Sequence, residues 1–114
     1  MHDLSTELDR ERIVQLNDVF RRTFVGGSLV ITSGLQRRGP VFVRDALKAV
    51  RDFAEFTADS DPHGEHDMGV LCVFEQHVLW KIDYFDPSMT QGSENPADAE
   101  QTRRVLTVML SDEY

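Results

Sequence analysis

The amino-acid sequence predicts a small α+β domain in which three helices pack on a three-stranded, mainly antiparallel sheet. The chain has 114 residues, of which 40% are hydrophobic, and this is the size and composition of one domain with its own core. Helical and strand patterns follow one another in the order helix, strand, helix, strand, strand, helix. The two adjacent strand patterns are separated by a short turn, which indicates an antiparallel hairpin. We therefore expect residues 1–114 to form a single domain.

The first half of the chain contains two of the helices and one strand. Apolar residues recur at helical spacing over residues 5–24, and a glycine pair follows, which is typical of a helix end. Residues 28–33 form a short β-branched run, as in a strand. Residues 41–56 carry a second apolar stripe at helical spacing, and Pro40 is tolerated at a helix start. The sequence leaves open which edge of the sheet the first strand joins.

Residues 68–75 and 78–85 are predicted to form the hairpin, with its turn near Gln76 and His77. The first run is apolar on both faces, which predicts a central strand and a buried Cys72. The second run alternates, so one face of the strand carries its large apolar residues. These are Val78, Trp80, Ile82 and Tyr84.

The last segment is predicted to be a helix that begins at Asn95 and ends at about Leu110. Asn95 is a good helix cap, and Pro96 fits the first helical position. Four residues would then lie on the inner face of this helix. They are Thr102, Val105, Leu106 and Met109.

The net charge of −8 is concentrated in one region. Residues 57–100 contain ten acidic side chains and one basic side chain, for a net charge of −9, whereas residues 1–56 have a net charge of +1. Such a region repels nucleic-acid phosphates and attracts cations or basic protein surfaces. Direct nucleic-acid binding and membrane binding are not expected, because the chain has no DNA-binding motif and no membrane-spanning apolar run. Without a signal-peptide pattern, we expect a soluble, cytoplasmic protein.

The acidic loop, residues 57–67, contains four carboxylates and two imidazoles. It precedes the first hairpin strand, and another polar loop follows the second strand, so both loops lie at the same end of the hairpin. Several ionisable side chains are expected to converge there. They are His63, Glu65, His66, Asp67, Asp83, Asp86 and Glu94.

Two kinds of chemistry fit this loop. A metal site for zinc or manganese would use His63, His66 and Asp67, since imidazole and carboxylate groups bind these ions. A small metal-assisted hydrolase, or an acid–base enzyme without metal, would have Glu65, His66, Asp67 and Asp83 around its site. A structural alternative gives the same side chains turn and capping roles, with Gly64 at positive φ and a His66–Asp83 hydrogen bond.

Four stretches of the chain resemble a family of short bacterial proteins, domain of unknown function family 3768. They are residues 60–69, 80–86, 92–98 and 102–110. The resemblance covers the chain from Ser28 onward and is less clear over residues 1–27. It implies a mainly alphaproteobacterial origin, often on plasmids or other mobile elements, and it implies no activity. The family usually has tyrosine at the position of His63, which leaves Glu65, His66, Asp67 and Asp83 as the better candidates.

We interpret the chain as an acidic protein-binding or inhibitory module, with the hydrolase and a purely structural domain with solvated acidic loops as alternatives. Proteins that imitate DNA use carboxylates in this way, and small anti-restriction and anti-CRISPR proteins of mobile elements are similar in size and charge. This interpretation requires no metal and no catalytic residue. The partner would be a basic protein surface, such as that of a nucleic-acid-binding enzyme or complex. The docking carboxylates would be Asp59, Asp61, Glu65, Asp67, Asp86 and Glu94.

Overall fold

Helices cover one face of a four-stranded sheet in this protein. The structure is a computed structural model that describes residues 4–114, with side chains from Thr6 onward. Single 3₁₀ turns lie at residues 99–101 and 111–113. The helices and strands are, in chain order, α1 (Leu4–Thr23), β1 (Gly27–Ile31), α2 (Ser33–Gln36), α3 (Pro40–Asp52), β2 (Met68–Val73), β3 (Gln76–Phe85) and β4 (Arg103–Leu110).

The helix pattern of the first half is confirmed. Helix α1 ends at Thr23 because Phe24 turns to a φ of 59°, and Gly26 follows at 109°, a left-handed exit of the kind that commonly stops helices. Helix α3 begins at Pro40 and ends four residues earlier than the predicted end at residue 56. The short helix α2 lies between the predicted first strand and the predicted second helix, where no element is predicted from the sequence.

The sheet has the strand order β1-β4-β3-β2, with β1 parallel to β4 and the other pairs antiparallel. The predicted hairpin is confirmed as β2 and β3, but its turn is Phe74-Glu75, since Val73 pairs with Gln76. Both turn residues have positive φ, 46° and 67°, as a two-residue hairpin loop of matching twist requires.

The predicted last helix is wrong, because residues 103–110 form strand β4. The sheet therefore has four strands instead of three, and it is partly parallel. Alternate residues of β4 are buried on the helix-covered face, a period of two that only a strand provides. They are Arg104, Leu106, Val108 and Leu110.

The position of β2 also differs from the expectation. This strand lies at an edge of the sheet, whereas β3 and β4 lie at its centre. Cys72, predicted to be buried, is exposed, because its side of the edge strand is not covered by a helix. Gly69 is buried on the other side of the strand, next to Phe53 and Trp80.

The core lies between the helices and one sheet face. Trp80, Leu106 and Val108 are fully buried there, and Phe20 of α1 and Val50 of α3 contact the same cluster. Among the described residues, no helix is both long and apolar enough to cross a bilayer. The fold places the acidic loop at the end of β3, beside the middle of α1.

Candidate functional site

A polar cluster is buried where helix α1 meets the acidic loop and the sheet. We use this name for seven side chains: Asn17, Asp18, Arg21, Glu65, His66, Tyr84 and Arg104. Helix α1 contributes three of them, because position 21 lies one turn beyond positions 17 and 18, on the side that contacts the sheet. The acidic loop and the two central strands contribute the rest.

Asn17 is the centre of the polar cluster and is fully buried. Its Nδ2 donates to the Tyr84 hydroxyl at 2.8 Å and to the Glu65 carbonyl at 3.0 Å. Its Oδ1 accepts a hydrogen bond of 2.7 Å from Arg104 Nε. One amide therefore ties helix α1 to the acidic loop, β3 and β4, with both its donors and its acceptor used.

Tyr84 connects the Asn17 amide to the Glu65 carboxylate. Its hydroxyl donates to Glu65 Oε1 at 2.8 Å, and the Arg104 guanidinium lies 5.2 Å from the centre of its ring. Burial, and then the nearby Glu65 charge, raise the pKa of Tyr84. The phenol therefore keeps its proton and acts as a donor at every physiological pH.

Asp18 joins the other half of the cluster. Its Oδ1 accepts from Arg21 Nη1 at 2.9 Å and lies 2.9 Å from His66 Nδ1. Partial burial acts to raise the pKa of Asp18, but the hydrogen bonds from Arg21 and His66 outweigh it, so the pKa is lowered. The ionised carboxylate fixes the proton of His66 on Nδ1 and sets the orientation of the ring.

Aromatic rings lie against His66 and Arg21, the two partners of Asp18. The His66 ring stacks on Phe56 with 3.8 Å between ring centres, and the Arg21 guanidinium lies 5.2 Å from Phe56 and 5.4 Å from Trp80. Arg21 is fully buried, and it also donates to the Phe53 carbonyl at 3.1 Å. These contacts replace water around a buried guanidinium.

The acidic loop is shaped by hydrogen bonds to one of its own carboxylates. Asp61 is 6% exposed and accepts from the backbone N–H groups of Glu65 and His66. Gly64 has a φ of 65° and His66 has a φ of 56°, so the chain reverses between them. The predicted positive φ of Gly64 is confirmed, and Asp61 serves as the internal cap of the loop.

The candidate residues are not all brought together. Asp83 lies on the sheet face opposite Tyr84 and pairs with Lys81 at 2.7 Å, so the expected His66–Asp83 bond is wrong and Asp18 takes its place. Among the described residues, no group of three His, Cys, Asp or Glu side chains is arranged to hold a metal ion. The zinc or manganese site at His63, His66 and Asp67 therefore has no geometric support.

The other candidate residues of the two loops differ in how exposed their side chains are. Asp59 and Glu94 are exposed, and Asp86 is half-exposed at the start of the second polar loop. Asp86 accepts from Ser88 and from the Thr90 N–H group, and the Ser88 hydrogen bond lowers its pKa. His63 is exposed, and Glu65 and Asp67 are half-buried.

Five members of the polar cluster were not among the candidate site residues of the sequence: Asn17, Asp18, Arg21, Tyr84 and Arg104. The sequence does contain a signal for Asn17 and Arg21. Ile13, Asn17 and Arg21 follow one another at intervals of four residues, so the two polar residues lie on the buried face of an amphipathic helix. No comparable signal marks Arg104, because the segment that carries it had been assigned to a helix.

A first test concerns Asp67, whose pKa is raised by burial and then by the Glu65 and Asp61 charges. The folded protein thus binds this proton more tightly than the unfolded chain, so stability falls as the pH rises above 3.8 and through the folded pKa. We expect Asp67→Asn to raise the free energy of unfolding at pH 7 by on the order of 0.5 kcal/mol, a value discounted for solvent screening. Urea denaturation at pH 7 and at pH ~3.5 measures this difference.

The gain should become much smaller at the lower pH, where the folded state and most of the unfolded chains carry the proton. The Asp67 carbonyl, which accepts from the Ile82 N–H group at 2.7 Å, is unchanged by the substitution. Asp59→Asn removes the same charge from the exposed part of the loop and is the control, with a smaller expected change. A loss of stability in Asp67→Asn at pH 7 would contradict the assignment of repulsion to this carboxylate.

These observations define a two-layer α+β domain with a buried polar cluster beside an acidic loop. A family model described as "protein of unknown function (DUF3768)" matches residues 31–113, and the chain belongs to that family. The predicted family is thereby confirmed. No curated protein and no solved structure gives a match.

Proposed function

We propose that this protein is a binding module whose exposed acidic loops dock on a basic surface of a partner protein. The observation that carries the proposal is that three exposed or half-exposed carboxylates have no cation at ion-pair distance in the described part of the chain. Among the described residues, no Lys, Arg or His lies within ion-pair distance of Asp59, Asp86 or Glu94. Lys81 is the one basic residue between residues 57 and 100, and it pairs with Asp83. The negative charge of this region is therefore available to a partner.

The loops that carry these carboxylates are held in place. Asp59 lies in a turn closed by hydrogen bonds between Thr57 and Ser60 and by the Asp61 N–H group, which donates to the Thr57 carbonyl at 2.8 Å. Ordered loops lose less conformational entropy on binding than mobile ones. This arrangement suits a docking surface, because little further ordering is needed on binding.

The second polar loop is anchored in the same way. The Ser93 N–H group donates to the Tyr84 carbonyl at 3.1 Å, and Thr102 donates to the Asn95 carbonyl at 2.9 Å, so Glu94 lies between two anchored residues. Both loops leave the same end of the β2–β3 hairpin, since Phe85 forms a bridge with Gly92 and Tyr84 contacts the acidic loop. The two loops that carry these acids thus begin at one end of the hairpin.

Three of the six expected docking residues have a different role in this proposal. Asp61 is buried as the cap of the acidic loop, Glu65 accepts from Tyr84, and Asp67 is half-buried. These carboxylates shape the surface, whereas Asp59, Asp86 and Glu94 contact the partner. The partner class that fits is a nucleic-acid-binding protein, because its basic groove is built for phosphate charges. In its more specific form, the proposal is that the protein is an inhibitor of the anti-restriction or anti-CRISPR type, carried by a mobile element.

The test is competition with DNA for a basic, sequence-independent DNA-binding protein, followed by fluorescence anisotropy of labelled duplex. We expect the protein to displace the duplex and to lose this ability as salt rises. The triple variant Asp59→Asn, Asp86→Asn, Glu94→Gln should compete about tenfold more weakly, because three exposed pairs contribute about 1.5 kcal/mol together. Asparagine at position 86 still accepts from Ser88 and Thr90, which preserves the loop.

A second triple variant separates this surface from net charge. Glu11→Gln, Glu55→Gln and Asp112→Asn remove three exposed acids outside residues 57–100, so both variants have the same net charge. We expect the control to compete within about twofold of the wild type. Equal loss in both variants, or no displacement by the wild type, would refute docking through these loops.

A further inference from the structure

A groove of about 420 Å³ lies between helix α1, the segment that follows it, and the start of strand β4. Its walls are apolar: Leu16, Val19 and Phe20 line one side, and Val25 lines the other. Val19 is 58% exposed and Val25 is 71% exposed, so both side chains are accessible to a ligand in the groove. A groove of this volume is in the range of small-molecule sites.

The charges of the groove have one sign. Arg12 and Arg104 line it, and no acidic side chain among the described residues does. This contrasts with the region of residues 57–100, where ten of the eleven charged residues are acidic. The groove is therefore a positively charged, apolar site in a protein with a net charge of −8.

Arg104 has no carboxylate partner in the described part of the chain. It is 3% exposed, and its hydrogen bonds go to neutral acceptors, the Asn17 Oδ1 atom at 2.7 Å and the Pro96 carbonyl at 2.5 Å. Burial lowers the pKa of Arg104, and the opposing charge of Glu65 acts from beyond ion-pair distance, while Glu65 itself is hydrogen-bonded to Tyr84. A buried guanidinium without an adjacent anion is costly, and an anionic ligand would remove that cost.

We propose that this groove binds a small amphipathic carboxylate, with the carboxylate at Arg12 and Arg104 and the apolar body against Leu16, Val19, Phe20 and Val25. The planar guanidinium groups match a carboxylate geometrically. A monoanion also costs less to transfer into an apolar groove than a phosphate dianion does. The inference is independent of the docking surface, because it uses none of the exposed acids of residues 57–100.

The binding experiment uses octanoate, 1-octanol and acetate as probes with the full-length protein, followed by ¹H–¹⁵N chemical shifts. We expect octanoate to saturate and to shift residues of the groove. Octanol, which lacks the charge, and acetate, which lacks the apolar chain, should each bind at least about tenfold more weakly, since a charge-assisted contact contributes about 1.5 kcal/mol or more. Equal affinity for octanoate and octanol would overturn the role of the arginines.

Two matched variants locate the anion. Arg12→Glu changes an exposed arginine of the groove, and Arg103→Glu makes the same charge change at an exposed residue next to Arg104, on the opposite sheet face. We expect Arg12→Glu to weaken octanoate by about tenfold or more, and Arg103→Glu to stay within about twofold of the wild type. Affinity for octanol should not change in either variant.

The other outcomes decide against the proposal. A similar loss of octanoate binding in both variants would show a response to net charge and not a site. Shifts that map to the uncovered sheet face, or an absence of saturable octanoate binding, would refute the groove as a carboxylate site. Val19→Gln tests the apolar wall, because it should weaken octanoate binding and leave the charge of the groove unchanged.

Discussion

Asn17→Ala is expected to lower the free energy of unfolding by about 3 kcal/mol, because it leaves a buried guanidinium and a buried phenol without their shared partner. Asn17 is fully buried and makes hydrogen bonds to Arg104, Tyr84 and the Glu65 carbonyl. Alanine removes all three, and no other described side chain hydrogen-bonds to Arg104 Nε. Urea denaturation followed by circular dichroism measures the change.

The control is Gln15→Ala on the exposed part of the same helix. Both substitutions put alanine, the best helix former, into α1, so a difference between them reports the buried contacts and not helix propensity. We expect Gln15→Ala to change stability by no more than about 0.5 kcal/mol. A loss in Asn17→Ala as small as that of the control would show that water satisfies Arg104 and Tyr84 after the amide is removed.

Local patterns were sufficient for the hairpin and the long helices. In β3 the alternation of Trp80, Ile82 and Tyr84 with polar residues allows only a half-buried strand, and the observed faces match it. In α1 and α3 the apolar stripe has the period of a helix and no competing pattern. Each of these segments contains all the information needed to assign it.

The last strand shows where local patterns fail. The spacing of Thr102, Val105, Leu106 and Met109 fits one face of a helix, while Leu106, Val108 and Leu110 also fit one face of a strand. The choice is made by distant partners, because β4 pairs with β1 on one side and with β3 on the other. Tertiary pairing of this kind overrides a weak helical preference.

The candidate site was predicted in part for the same reason. The acidic loop was recognised from its composition, and its anchoring partners Asn17 and Asp18 were not, because they lie 48 residues away in α1. Asp18 instead of Asp83 pairs with His66 because adjacent strand residues point to opposite faces of the sheet. Asp83 therefore faces away from the loop, whereas Tyr84 faces it.

Gly69→Ala is expected to lower the free energy of unfolding by about 2 kcal/mol, because its methyl group would overlap two aromatic rings of the core. A β-carbon at this position would lie 2.6 Å from Phe53 Cζ and 2.6 Å from Trp80 Nε1. These two rings pack edge to face with 5.5 Å between their centres. The single tryptophan of the chain reports any displacement through its fluorescence, so emission and urea denaturation can be measured together.

Two further variants test this cause. Gly92→Ala is the control, since its β-carbon would have the Tyr84 carbonyl at 3.8 Å as its nearest atom, an ordinary contact that we expect to cost less than about 0.5 kcal/mol. Phe53→Leu replaces one of the two rings with a shorter aliphatic side chain. Gly69→Ala should therefore cost less in that background than in the wild type. An equal cost in both backgrounds would exclude the overlap with Phe53 and leave the contact with Trp80 Nε1 as the source of the penalty.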